Sequence, residues 1–126
     1  MILLIDNDEA SRERMIGCLR WLADEVYACA SPQDLPPLSA LPRPTVVVAR
    51  YEVPDEDGLM FADRLHEAHP SVPIFLVTGA WSSYLAQQAA VRSFVWVRQV
   101  PVGLEELCTL IASVCGRRHS PMYASL

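Results

Sequence analysis

The chain contains no lysine. All ten basic residues among its 126 are arginines, set against 15 acidic ones, for a net charge of −5 with histidines neutral. That balance lacks the basic footprint of a nucleic-acid binder, so no direct nucleic-acid contact is expected. Glycine is scarce as well, and no glycine-rich loop able to cradle a phosphate is present. No apolar run approaches the roughly 20 residues of a membrane-spanning helix. No basic leader precedes Ile2-Leu3-Leu4-Ile5, so neither secretion nor membrane association is expected. Cys18, Cys29, Cys108 and Cys115 lack the Cys-x-x-Cys or Cys/His spacing that zinc requires. Three fall on apolar helical faces and Cys29 in a strand, so all are expected as reduced core thiols of a cytoplasmic protein. His66 and His69 share a helix without a third ligand and read as a solvated face. A nucleophile–base pair is also missing, so no catalytic residue and no enzyme activity is expected.

What is present is a strict alternation of apolar runs and amphipathic segments. A hydrophobic fraction of 52% with 20% charged residues suits one compact domain. Ile2 to Ile5 reads as a strand buried on both faces, and Val26 to Ala30, the β-branched run Thr45 to Ala49, Pro73 to Thr78 and Phe94 to Val97 read as four further strands. Asp8 can cap a first helix carrying Met15, Cys18, Leu19 and Leu22 on one side. Five prolines between Ser31 and Pro44 leave room for about two helical turns near Leu35 to Leu41. Asp57 can cap a helix with Leu59, Ala62 and Leu65 inward, ended by Pro70. Ser82 or Ser83 starts a fourth, through Leu85, Ala86, Ala89 and Ala90. Leu104, Leu107, Cys108, Ile111, Val114 and Cys115 form the last stripe, closed by Gly116. The domain is thus expected over residues 1–116, with 117–126 a polar tail or the start of a linker.

Five strands alternating with five helices imply an α/β fold with helices on both faces of a parallel sheet. Right-handed crossovers favour the flavodoxin-like order 2-1-3-4-5, whose functional crevice lies at the carboxyl ends of strands 1 and 3. There Asp6, Asn7 and Asp8 meet Arg50.

In these segments the chain resembles a bacterial response-regulator receiver domain over about residues 1 to 116. Ile2 to Glu9 is similar to that family's first strand and acidic pair, and Arg12 falls where the family often has an arginine. Val53-Pro54-Asp55-Glu56-Asp57-Gly58-Leu59 resembles its methionine-proline-x-x-aspartate-glycine loop. Thr78 matches the switch hydroxyl, and Val100-Pro101 falls where its lysine-proline pair belongs. The resemblance implies an Mg²⁺ held by carboxylates, an aspartate that accepts a phosphoryl group, a lysine that neutralises it and a hydroxyl that binds it afterwards.

Against that pattern the chain is degenerate, a pseudo-receiver. The acceptor position is Arg50, the second acid is Asn7, and Val100 takes the lysine's place, with Gln99 or Arg98 there if the register shifts. Two acids lost in this way leave the metal-facing side about three charges less attractive to a cation, each worth roughly 1 to 4 kcal/mol at 4 Å. Mg²⁺ binding is expected to be lost, with no metal and no other cofactor. The nearby acids Glu52, Asp55 and Asp57 read as solvated or helix-capping loop residues. For Arg50 two readings stand: pairing with Asp6 or Asp8, or a stem that covers apolar surface while its head reaches water.

Receivers signal through the face around helix 4, strand 5 and helix 5. In this chain that region carries Trp81, Tyr84, Phe94 and Trp96, aromatics being favoured interface anchors. Trp81, Tyr84 and Trp96 are the partner-binding candidates, while Phe94 reads as packing. The expected function is a two-component or phosphorelay receiver that is not phosphorylated and acts through a protein partner, an output domain or a homodimer on this face. The alternative is a sensor binding a small anion or metabolite against Arg50.

Overall fold

The computed structural model describes residues 1–23, 25–53, 56–99 and 103–115. Its main sheet comprises β1 (Ile2–Ile5), β2 (Val26–Cys29), β3 (Val46–Arg50), β6 (Ile74–Thr78) and β7 (Val95–Gln99). Every pairing in it is parallel, in the order β2-β1-β3-β6-β7. This is the 2-1-3-4-5 order expected from the sequence. A two-stranded hairpin, β4 (Glu52–Val53) with β5 (Glu56–Asp57), interrupts the count after β3.

Period-2 alternation sorts the core. Leu3, Ile5, Val47, Ala49, Ile74, Leu76, Val95 and Val97 face α2 (Gly58–Ala68) and α3 (Ser83–Ala90), which contribute Leu59, Phe61, Ala62, Leu65, Leu85 and Ala89. Ile2, Leu4, Val46, Val48, Phe75 and Val77 face α1 (Glu9–Leu19) and α4 (Leu104–Cys115), which bring Met15, Leu19, Leu107 and Ile111. Strands this apolar on both sides require helices on both faces. Each fully buried side chain of this size contributes roughly 1.5–3 kcal/mol.

The caps follow the sequence. Asp8 accepts from the Ala10 and Ser11 amides, Asp57 from the Leu59 amide at 2.7 Å, and Ser82 from the Leu85 amide. Gly58 fits for a different reason. A Cβ there would lie 2.9 Å from the Tyr51 Cα, so the hairpin can close onto α2 only over a residue without a side chain.

Four expectations are corrected. The described residues contain four α-helices, not five; between β2 and β3 lie a 3-10 turn, Pro32–Asp34, and a single turn in which Leu41 N–H bonds Pro37. The prolines fix φ and withhold the donors a helix needs. Strand 5 runs later than expected, Val95–Gln99, with Gln99 beside Thr78. His66 and His69 do not form a solvated face: the His66 ring stacks on Phe94 at 3.7 Å, and His69 Nε2 lies 3.1 Å from the Leu38 carbonyl. Finally, Cys18 and Cys108, expected as separate thiols, join α1 to α4 as a disulfide with Cα atoms 7.1 Å apart. That bond departs from the expectation that these two cysteines are reduced. Cys29 instead stays a thiol that donates to the Ser31 carbonyl, and burial pushes it up to about 11. Gly116, the expected cap of α4, and the tail 117–126 lie outside the described residues.

Candidate functional site

The crevice opens where β1, β3 and β6 end. Register places Ile5 beside Ala49 and Arg50 beside Val77, so Asp6, Arg50 and Thr78 converge at the sheet's carboxyl edge. A cavity of about 480 Å³ lies there, rimmed by Asp6, Ser11, Arg14, Arg50 and Gly79 over an apolar floor that includes Met15 and Val48.

On the β1 side the acids are already engaged. Asp6 is 5% exposed. One of its oxygens accepts the Ser11 hydroxyl at 2.6 Å and the other the Asp8 amide at 2.9 Å. Arg12 donates to the Asp6 carbonyl, bracing the strand end from the first turn of α1. Asp8 is occupied as the α1 cap, and Asn7 is exposed.

Across the crevice the arrangement departs from the first sequence reading of Arg50, while a partly exposed side chain lining the cavity beside Val48 and Val77 is in keeping with the second. Its guanidinium is half-buried and pairs with neither Asp6 nor Asp8; Nε stands 4.0 Å from Glu52 Oε1. Asp6 has no need of it, because neighbours along its own chain supply donors. Glu52 is the crevice residue whose role the spacing did not disclose. Its carboxylate accepts the Thr78 hydroxyl in a very short hydrogen bond and the Gly79 amide at 3.1 and 3.3 Å. Partial burial opposes its ionisation, but the Thr78 hydroxyl and the Gly79, Glu52 and Ala80 amides outweigh this and hold the carboxyl below the usual glutamate range. Thr78 itself is wholly buried and also accepts from the Ala80 amide at 3.1 Å. Tyr51, next to Arg50, donates to Asp57 at 2.9 Å; burial and that carboxylate push the phenol up to about 12. Asp57 therefore caps a helix, as read, while Asp55 and Val100 lie outside the described residues. Arg98 and Gln99, the alternatives to Val100, are exposed, and Arg98 donates to the Val97 carbonyl.

The three aromatic candidates do not share one surface. Trp81 and Tyr84, where α3 begins, are 50% and 63% exposed. Trp96 is half-buried on the opposite side of β7, stacked on Phe75 at 5.2 Å and packed with α4 residues. Phe94 packs under α2 and α3, as read. Trp21, just after α1, is 88% exposed and had no signal in the spacing.

This architecture has close counterparts. A receiver domain protein (CheY-like) from Methanospirillum hungatei JF-1 superposes with a TM-score of 0.81 at 19% identity, over 95% of this chain and 96% of that one. The signal receiver domain of an HD domain-containing protein from Pseudomonas fluorescens Pf-5 gives 0.81 at 23% identity, over 94% and 96%. The chain has the receiver fold. No protein-family model matches it. In sequence, the C4-dicarboxylate transport transcriptional regulatory protein DctD of Pseudomonas aeruginosa is 31% identical over 88 residues. Those residues are 70% of this chain and 19% of that protein, so the receiver-fold chain spans about a fifth of its relative's length. No helix among the described residues is long and apolar enough to cross a membrane.

Proposed function

We propose that this receiver-fold domain serves two-component-type signalling without aspartyl phosphorylation, through contacts with a protein partner or an output domain. The observation that carries the reading is Arg50 at the crevice tip of β3, where a phosphoryl acceptor would need a carboxylate. Glu52, the described acid nearest to it along the chain, already holds Thr78 and Gly79. The residues present do not fit a divalent cation either. Asp6 faces Ser11 and the Asp8 amide, Asp8 caps α1, and a guanidinium borders the cavity.

Signalling by contact needs an exposed face, and α3 with β7 and α4 offers one. Trp81 and Tyr84 are its accessible anchors, for a partner or a second copy of the chain. Incubation with Mg²⁺ and a small phosphodonor, followed by intact mass, tests the reading. An unchanged mass is expected, and a gain of one phosphoryl group would sink it.

A second reading, a small-anion or metabolite sensor, is favoured by the cavity itself, since Arg14 and Arg50 both reach its rim. Ligands specific to the folded state raise the melting temperature by mass action, so a thermal-shift screen of carboxylates and phosphates separates the two.

A further inference from the structure

The loop after β6 is held by a residue that neither its own strand nor its own helix supplies. Glu52 lies 26 residues before Thr78, on the hairpin that follows β3, yet its carboxylate reaches the Thr78 hydroxyl and the Gly79 amide together. Two donors that converge on one carboxylate form an anion cradle, and charge-assisted bonds of this kind are about twice as strong as neutral ones. The cradle is fixed from beneath. Thr78 is fully buried, Val77 pairs with Arg98, and the Thr78 hydroxyl is shared with the backbone of Ala80. Only two residues separate Gly79 from Ser82, the cap of α3, and Trp81 sits between them. Whatever holds Gly79 therefore holds the start of the aromatic face.

We propose that Glu52 is a built-in anionic clasp: its carboxylate fills the Thr78–Gly79 cradle and fixes the loop bearing Trp81 in one presentation, without an added anion. This rests on the phosphorylation-free reading above and specifies how the face is set under it. Arg50, 4.0 Å from the same carboxylate, orients the clasp from the β3 side. The crevice and the aromatic face are then coupled through one side chain.

Amide hydrogen exchange at residues 79–84, followed by NMR in the native chain and in Glu52→Ala, tests the clasp. Exchange at Gly79 should accelerate about tenfold or more in the variant, the size of one charge-assisted hydrogen bond. In Glu52→Ala, added acetate should shift the Gly79 amide saturably by taking the vacated cradle, while the native amide stays unmoved. If Glu52→Ala does not fold, Glu52→Gln provides the same exchange comparison with an acceptor kept and the charge removed, and an intermediate rate is expected. Equal Gly79 exchange in native and variant, or acetate acting on both alike, would overturn the proposal. Intact mass of the native chain after phosphodonor treatment keeps the two readings apart. A phosphoryl gain removes the phosphorylation-free reading without altering the exchange result, and unaccelerated exchange removes the clasp without bearing on the mass.

Discussion

The two flanks of the crevice are built on different principles. On the β1 flank the side-chain bonds are local: Asp6 bonds Ser11 and Asp8, and Arg12 returns to the Asp6 carbonyl, all within six residues, while the Asp6 amide reaches further, to the Cys29 carbonyl. On the β3 and β6 flank the partners are remote, Glu52 reaching Thr78 and Gly79 across 26 and 27 residues. The local flank closes on itself whatever the rest of the crevice does. The remote flank exists only once the sheet has formed, so it can transmit a change from one side to the other. That difference explains how the acids of β1 persist beside an arginine: they are held by their own helix start.

Removing Asp6 should break the local flank most severely. It is buried and accepts two donors, so Asp6→Ala leaves the Asp8 amide and the Ser11 hydroxyl to find other partners. A loss of about 3 kcal/mol in chemical denaturation is expected, since bonds to charged groups are worth roughly 1.5–3 kcal/mol each. Asp6→Asn, which keeps an acceptor, should cost about half as much. If both variants cost nothing, the local closure carries no weight.

Gly58→Ala probes the joint that sets the remote flank. Its added methyl meets the Tyr51 backbone at 2.9 Å, so the hairpin bearing Glu52 must shift away from α2. About 2 kcal/mol of destabilisation is expected, within the usual range for overpacking against a rigid neighbour. An unchanged midpoint would mean that the hairpin slides freely, and a clasp at its base could not hold anything.

Local chemistry was also what the sequence disclosed. Capping by Asp8, Asp57 and Ser82 acts over two or three residues, and β-branched runs such as Val46-Val47-Val48 declare a buried strand on their own. From those signals the sheet order and both helical layers were legible. Arg50 was legible as an anomaly because its place at a strand end is local, but its partner was not. Asp6 looks available from the spacing because nothing in it marks the Ser11 hydroxyl as its donor. Glu52 passed for a solvated loop acid, since nothing in Tyr51-Glu52-Val53 announces a hairpin that turns back toward Thr78. His66 read as solvated for the same reason, its partner Phe94 lying 28 residues away on the far side of a helix.

Acid should separate the flanks next. Glu52 titrates below the usual glutamate range in the folded chain because its hydrogen bonds favour the charged form more than partial burial disfavours it. A carboxyl held low in the fold adds stability that is fully present above its unfolded value and is lost as pH falls through the folded value. Melting temperatures taken from pH 6 to pH 3 should therefore fall more steeply for the native chain than for Glu52→Gln. Asp63, held low chiefly by its hydrogen bonds from Arg92, contributes to that limb in both proteins and cancels in the comparison. Parallel curves would mean that Glu52 gains nothing from its donors on folding.

Arg50→Ala should have the smallest effect, and that smallness is informative. Were Arg50 the buried counter-ion of Asp6, removing it would strand a charge in the crevice and cost about 3–5 kcal/mol. In the structure its one ion pair is at the 4.0 Å limit, with a side chain about a quarter exposed facing a carboxylate that Thr78 and Gly79 already serve. Exposed or partly exposed pairs of this length contribute about 0–1 kcal/mol, so Arg50→Ala should shift the denaturation midpoint by well under the Asp6→Ala change. The arginine then stands at the crevice tip of β3 without being needed to hold the fold. A large loss would reverse the comparison and make the guanidinium, instead of the Ser11 hydroxyl and Asp8 amide, the partner on which Asp6 depends in the crevice.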